Sequence, residues 1–254
     1  MAYRPRSLRH EYELYVEREI EEYKESVPRS ALLGIGDEAV ASLNKQQQLA
    51  LTELVLCDEV DRIISARLRV PTYNTWRKRR LKALKEFSRP ERWGLRPDGA
   101  LARTVRAAEG HVLVAGTSEG TAIYLAANGC AVTTIDATGD VVERVMDAAV
   151  SVGIAGRVRG FITDLASWAP DMPLNAVVCA ARALSGLTVA ERARALGLLQ
   201  QATTEGGVHL LDIDSGDGKQ ARLDELRASY IGWQISVERD VSSAERFLAR
   251  KAVA

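Results

Sequence analysis

The sequence predicts an α/β protein with a doubly wound, mostly parallel sheet and a helical N-terminal part. Three observations predict it. The texture changes near Arg96-Pro97-Asp98-Gly99: charged and helix-patterned before, short runs rich in Val, Ile and Ala after. Those runs alternate with longer stretches of helical spacing, the pattern of parallel βαβ units. A glycine-containing turn follows the first run and an aspartate ends the second. Sheets of this class bind ligands at the carboxyl ends of their strands.

Taken in order, the first hundred residues predict three or four helices. Residues 11–25 are dense in Glu and stop before Pro28. Residues 37–68 carry Val40, Leu43, Leu54, Val60, Ile63 and Ile64 at helical spacing, and Pro71 stops them. Residues 75–87 form a basic helix that ends before Pro90. The remainder predicts seven strands, at 111–115, 131–136, 158–163, 176–179, 208–213, 233–241 and 246–251. Helices are expected at 119–127, where Gly129 marks the stop, and at 140–151, 188–203 and 223–229. The last two strands read as a closing antiparallel hairpin. The expected domains are 1–100, helical, and 101–254, ligand-binding.

Composition narrows the function. The chain of 254 residues carries 34 basic and 34 acidic side chains, which excludes a globally basic nucleic-acid binder. Cys57, Cys130 and Cys179 are odd in number and far apart, so neither a disulfide framework nor a zinc knuckle is expected. The three histidines are scattered and predict no metal site. No apolar run approaches the ~20 residues that span a bilayer, and the N-terminus lacks an apolar signal region. A cytoplasmic protein is expected. Neutrality hides a split, however: residues 11–61 carry a net −9 and residues 67–96 a net +9, the latter interleaved with Trp76 and Trp93. The basic segment reads either as an RNA- or phosphate-binding surface or as a partner for the acidic helices, within the chain or in a homo-oligomer. The matched totals favour pairing.

The segment 112–136, VLVAGTSEGTAIYLAANGCAVTTID, carries the chemistry. Gly116 and Gly120 allow a sharp turn and close approach of a ligand. The helix that follows offers free N–H groups. Asp136 lies 20 residues after Gly116, a spacing suited to a carboxylate that accepts hydrogen bonds from ribose hydroxyls. A nicotinamide dinucleotide wants the fingerprint G-x-G-x-x-G, because its pyrophosphate docks on the helix N-terminus. Here Ser118 stands where the middle glycine would be, and Glu119 at the helix start is a poor neighbour for a pyrophosphate. A cationic sulfonium tolerates that carboxylate better.

On these residues the chain resembles the class I S-adenosylmethionine (SAM)-dependent methyltransferases over residues 111–251. Their first motif matches Ala115-Gly116-Thr117-Ser118-Glu119-Gly120, with Ser118 replacing the middle glycine and Val114 where an acidic residue is frequent. The acidic end of the second strand matches Asp136, followed by Ala137. The acidic residue after the third strand matches Asp164, beside Leu165. The segment after the fourth strand matches Cys179-Ala180. The resemblance implies a seven-stranded Rossmann-like sheet, SAM as cofactor, and these residues around it.

The substrate side is thinner. After the fourth strand the family's base N-methylating members carry N/D-P-P-Y/F, whereas this chain reads CAARAL. Cys179 follows Val178, not the proline of C5-cytosine methyltransferases, and reads as a packed residue. Arg182, just past the fourth strand, and Asp214, at the end of the fifth, are candidate substrate contacts; the alternatives are a solvated loop arginine and a loop-capping aspartate. His209, inside a strand, reads as a hydrogen-bonded core residue. The expectation is a methyltransferase for a small-molecule acceptor held between the helical part and the strand ends. The alternatives are an RNA methyltransferase using residues 67–96, a degenerate SAM-fold protein that binds or assembles without catalysis, and a nicotinamide reductase. The last lacks a Tyr-x-x-x-Lys pair.

Overall fold

The computed structural model describes residues 7–45, 53–107, 110–116, 119–213, 219–239 and 245–253. The chain forms two compact units, Arg4–Leu81 and Lys82–Ala254.

The first unit holds α1 (Leu8–Ser26), α2 (Arg29–Lys45), α3 (Glu53–Arg67) and the first part of α4 (Tyr73–Phe87). Ser7 caps α1 by accepting the His10 N–H. The helix expected over 37–68 is not one element. Its first part belongs to α2, which starts directly after Pro28, and Pro28 O accepts the Ala31 N–H at 2.9 Å. Proline fits a helix start because its missing N–H has no partner there in any case. Ile20, Ile35, Ala39, Ile63 and Ile64 form the unit's core. Opposite charges pair within it: Glu11 with Arg80 at 3.1 Å, Asp61 with Lys24 at 2.9 Å, and Glu38 with Arg67.

The division falls inside α4, at Leu81/Lys82, rather than near residue 100. Leu84, Phe87, Trp93 and Leu95 explain this, since all four pack on the core of the second unit.

That unit contains a short 3₁₀ turn (Pro90–Trp93), α5 (Ala100–Ala107), β1 (His111–Ala115), α6 (Glu119–Ala127), β2 (Ala131–Asp136), α7 (Gly139–Val152) and β3 (Val158–Ile162). β4 (Leu174–Cys179), α8 (Ala181–Ser185), α9 (Val189–Ala202), β5 (Thr203–Ile213), α10 (Lys219–Ser229), β6 (Gln234–Arg239) and β7 (Glu245–Arg250) follow. The seven strands form one sheet in the order β3-β2-β1-β4-β5-β7-β6. β1 to β5 are parallel, and β7 runs antiparallel to both β5 and β6. Two-sided burial explains the apolar strands. Val112 and Val114 face the cluster that includes α5, α6 and α7, while Leu113 and Ala115 face the cluster that includes α8, α9 and α10. Each buried Val or Leu contributes ~1.5–3 kcal/mol relative to an exposed one.

α9 opens with a capping box between Thr188 and Glu191. Next to it, buried Arg192 donates to Leu187 O at 2.8 Å and meets Glu225 of α10 at 2.7 Å. This pins the loop that leaves α8.

The strand order places the topological switch between β1 and β4, with β2 on one side and β5 on the other. The crevice at the carboxyl ends of these two strands is where such sheets take ligands. Register keeps the ends level: Ala115 lies beside both Ile135 and Cys179.

Candidate functional site at the β1–β4 switch

Gly116 leaves β1 with φ of +63°, a left-handed conformation that glycine adopts without strain. An added Cβ would stand 2.9 Å from Ala183 Cβ. The Gly116 N–H donates to Ile135 O at 3.1 Å, and the Ala180 N–H donates to Ala115 O at 2.9 Å. The chain ends of β1, β2 and β4 are therefore tied at one level.

Asp136 is the last residue of β2 and is only 8% exposed. Its Oδ1 accepts the Thr138 N–H at 2.9 Å. Its Oδ2 accepts from Arg182 Nη2 at 2.7 Å, and Arg182 Nε donates to Gly116 O. Arg182 thus crosses the switch, from the start of α8 to the end of β2. It is the ion-pair partner of Asp136 rather than a solvated loop arginine. The pair contributes at most ~1 kcal/mol, because the arginine side is half exposed.

The other expected residues fall as follows. Glu119 opens α6 and is half-buried, and Ala137 is exposed just beyond β2. Asp164 is exposed beyond β3, and its Oδ1 accepts the Ser167 N–H at 2.7 Å. Hydrogen bonds from the Ser167 side chain and backbone hold the Asp164 carboxyl below the usual range. Leu165 is buried beside it. Cys179 is fully buried, and burial pushes its thiol up to about 12, so it sits in the core as a neutral thiol. Thr117, Ser118 and Asp214 lie outside the described residues.

Gly120, the second residue of α6, serves packing. A Cβ there would stand 2.8 Å from Trp93 Cε3. Trp93 is held by its Nε1–H on Phe87 O at 2.9 Å and by stacking on Phe87. Sequence reasoning did not find this contact. A tryptophan 27 residues away carries no local signal of its partner. Trp76 is likewise engaged, with Tyr12, Tyr15 and Tyr73 in the first unit. Both tryptophans of the basic segment are therefore used in packing. The exposed cations Arg77, Lys78 and Arg79 remain.

His209 is a core residue. Its ring nitrogens bond Thr203 Oγ1 at 2.7 Å and Tyr230 Oη at 2.6 Å, and burial pushes its pKa down to about 3. Two cavities lie elsewhere in the unit. One of about 100 Å³ is lined by Arg96, Asp98, Arg103, Glu238 and Arg246. One of about 260 Å³ is lined by Asn175, Glu205, Gly207 and Arg250. Neither includes Gly116, Asp136 or Arg182. The switch is preferred as the site because it joins a buried carboxylate to the topological crevice. Among the described residues no three His, Cys, Asp or Glu side chains are placed to hold a metal ion, and no helix is long and apolar enough to cross a membrane.

No family model matches the chain, and no curated protein matches it in sequence. Solved structures do. The glycopeptide N-methyltransferase MtfA, complexed with S-adenosyl-L-homocysteine (SAH), superposes with a TM-score of 0.50 at 13% identity, covering 59% of this chain and 86% of that one. A candidate rRNA methylase from Clostridium thermocellum gives 0.49 at 15% identity, over 63% and 99% of the two chains. A TehB-like SAM-dependent methyltransferase from Corynebacterium glutamicum gives 0.48 at 17%, over 59% and 86%. The seven-stranded sheet with its antiparallel closing hairpin is the fold of the class I SAM-dependent methyltransferases.

Proposed function

We propose that the chain is a SAM-dependent methyltransferase acting on a small-molecule acceptor at the carboxyl ends of the strands. One observation carries this reading: a nearly buried carboxylate, Asp136, stands beside the left-handed Gly116 turn at the switch of a methyltransferase fold. The residues fit the cofactor. Asp136 has the acceptor oxygens that ribose hydroxyls require. The left-handed turn at Gly116, packed against Ala183, carries the chain around the end of β1, where the methionine portion would lie. Asp164 and Leu165 offer an ionised carboxylate and an apolar wall to the adenine, with Cys179 and Ala180 beneath. When bound, SAM supplies an electrophilic methyl group on a sulfonium. The protein's part is to orient the acceptor and exclude water, for which the buried Leu165 and the neutral Cys179 thiol are suited.

Calorimetry with SAM and SAH tests this. Micromolar binding is expected, weakened at least tenfold by Asp136→Ala. Absence of binding at high micromolar concentration refutes the cofactor, and unchanged affinity in the variant removes Asp136 from its role.

The exposed Arg77, Lys78 and Arg79 support a second reading, an RNA acceptor. It requires RNA affinity that falls steeply with salt and flattens when these three are neutralised. Arg80 is excluded from that set, since it is buried and paired with Glu11.

A further inference from the structure

We propose that the cavity at the amino ends of β4 and β5 is a second binding site, for a small zwitterion that carries an ammonium and a carboxylate, as amino acids do. Asn175 in it and Cys179 at the switch are four residues apart on β4, about 13 Å at ~3.3 Å per residue. The site is therefore separate from the crevice, and it stands whether or not that crevice binds SAM.

An interruption of the sheet builds the cavity. Leu174 of β4 pairs with Thr203 of β5, and Ala176 with Val208. Asn175 alone thus stands opposite residues 204–207 of β5. Such bulges are common beside binding sites, where they re-aim the chain. Glycine makes this one: Gly206 has φ of +71°, and a Cβ on Gly207 would stand 2.5 Å from Thr203 Cγ2 and 2.8 Å from Thr204 O. Thr204 Oγ1 donates to Leu174 O at 3.2 Å, the Gly206 N–H to Lys251 O at 3.2 Å, and Arg250 Nη1 to Gly206 O at 3.1 Å. The bulge is therefore fixed on both flanking strands. Thr104, Asn175, Thr204, Glu205, Val208 and Arg250 line about 260 Å³ beside it. One water needs only ~10–15 Å³, so a molecule of several heavy atoms fits.

The lining decides the chemistry. No aromatic ring is among its residues, so a nucleobase finds nothing to stack on. Two opposite charges share the cavity without pairing. The Glu205 carboxylate makes no hydrogen bond or ion pair among the described residues. Arg250 spends only Nη1, on the Gly206 carbonyl, which leaves the Nε–Nη2 edge of its guanidinium. That edge meets a carboxylate in two parallel N–H···O bonds. Asn175 accepts the His111 N–H through Oδ1 at 3.0 Å, which leaves its NH2 group as a further donor. A lone anion would suit Arg250 and Asn175 but be repelled by Glu205, and a lone cation would meet the reverse. A zwitterion satisfies all three.

Ligand-observed NMR titration of the full chain tests this. The probes are glycine, β-alanine and γ-aminobutyrate, whose charges stand progressively farther apart, with butyrate and butylamine as analogues lacking one charge. At least one zwitterion is expected to bind in the millimolar range or better, about tenfold more tightly than either analogue. Glu205→Gln, at an exposed side chain, is expected to weaken that zwitterion about tenfold and to strengthen butyrate, an opposite response that a purely structural residue would not give. Arg250→Lys, which keeps the charge without the two-point edge, is expected to weaken the zwitterion several-fold. No binding by any of the three zwitterions, butyrate binding as tightly as the best of them, or an unchanged zwitterion affinity in Glu205→Gln would each overturn the site. SAH titrated alongside reports on the switch alone, so a failure there strikes the cofactor reading and leaves this one standing.

Discussion

Gly120→Ala provides a test in which the sign of the effect depends on one neighbour. In a helix the substitution ordinarily stabilises by up to ~1 kcal/mol, since alanine loses less backbone entropy. Gly120 is the second residue of α6, so the gain there is at the low end. The new Cβ would stand 2.8 Å from Trp93 Cε3 and 3.2 Å from Trp93 Cβ. The ring cannot retreat freely, because its Nε1–H is bonded to Phe87 O at 2.9 Å and Arg92 lies over Phe87 at 4.4 Å. Overpacking of this kind costs ~1–3 kcal/mol, so Gly120→Ala alone should destabilise by about 1–2 kcal/mol. In a Trp93→Ala background the obstruction is gone, and the same substitution should stabilise by a few tenths to ~1 kcal/mol. Urea unfolding of the four proteins closes the double-mutant cycle, with an expected coupling of about 2 kcal/mol. Stabilisation by Gly120→Ala in the wild-type background, or additive effects, would show that Trp93 does not rest on this glycine.

Three further outcomes follow from burial. Alkylation of the native protein at pH 8 should modify Cys57 and spare Cys130 and Cys179, whose thiols are pushed up by burial to about 11 and about 12; mass spectrometry showing a native adduct at Cys179 would contradict its packing. His209, with a folded pKa of about 3 against 6.5 when free, binds its proton more readily in the unfolded chain, so it lowers stability as pH falls from about 6.5 toward 3. The stability of wild type relative to His209→Gln should therefore fall by on the order of 1 kcal/mol per pH unit across that window, and a pH-independent difference would refute the assignment. Glu225→Ala leaves the buried Arg192 guanidinium without its carboxylate and should cost about 2–3 kcal/mol in urea unfolding; a loss under ~0.5 kcal/mol would show that its hydrogen bonds to the Leu184 and Leu187 carbonyls suffice.

The parts of the molecule legible in its sequence are those whose cause is local. Gly116 and Asp136 could be placed because a turn residue and a strand-ending acid are written within 20 positions of one another. β1, β2 and β4 could be placed because burial on both faces leaves no polar alternation to confuse them. The apolar spacing of α2 continues into α3, so it does not mark where one helix gives way to the next, and Pro28 suits the end of α1 and the beginning of α2 alike. The charge pairing of the first unit was legible as totals only. That Glu11 meets Arg80 depends on how helices 69 residues apart pack, and no count of charges contains that.

The same limit explains the site. Arg182 reaches Asp136 only because β4 lies beside β1 while β2 lies on its other side, which brings residues 46 apart to one edge. From sequence, Arg182 was a cation past a strand, open to an anion or to solvent. From topology, it is a cation already bonded to the carboxylate that ends β2 and to the Gly116 carbonyl that ends β1. The two residues are therefore parts of one contact across the switch. A substitution at either residue should change both ends of that contact.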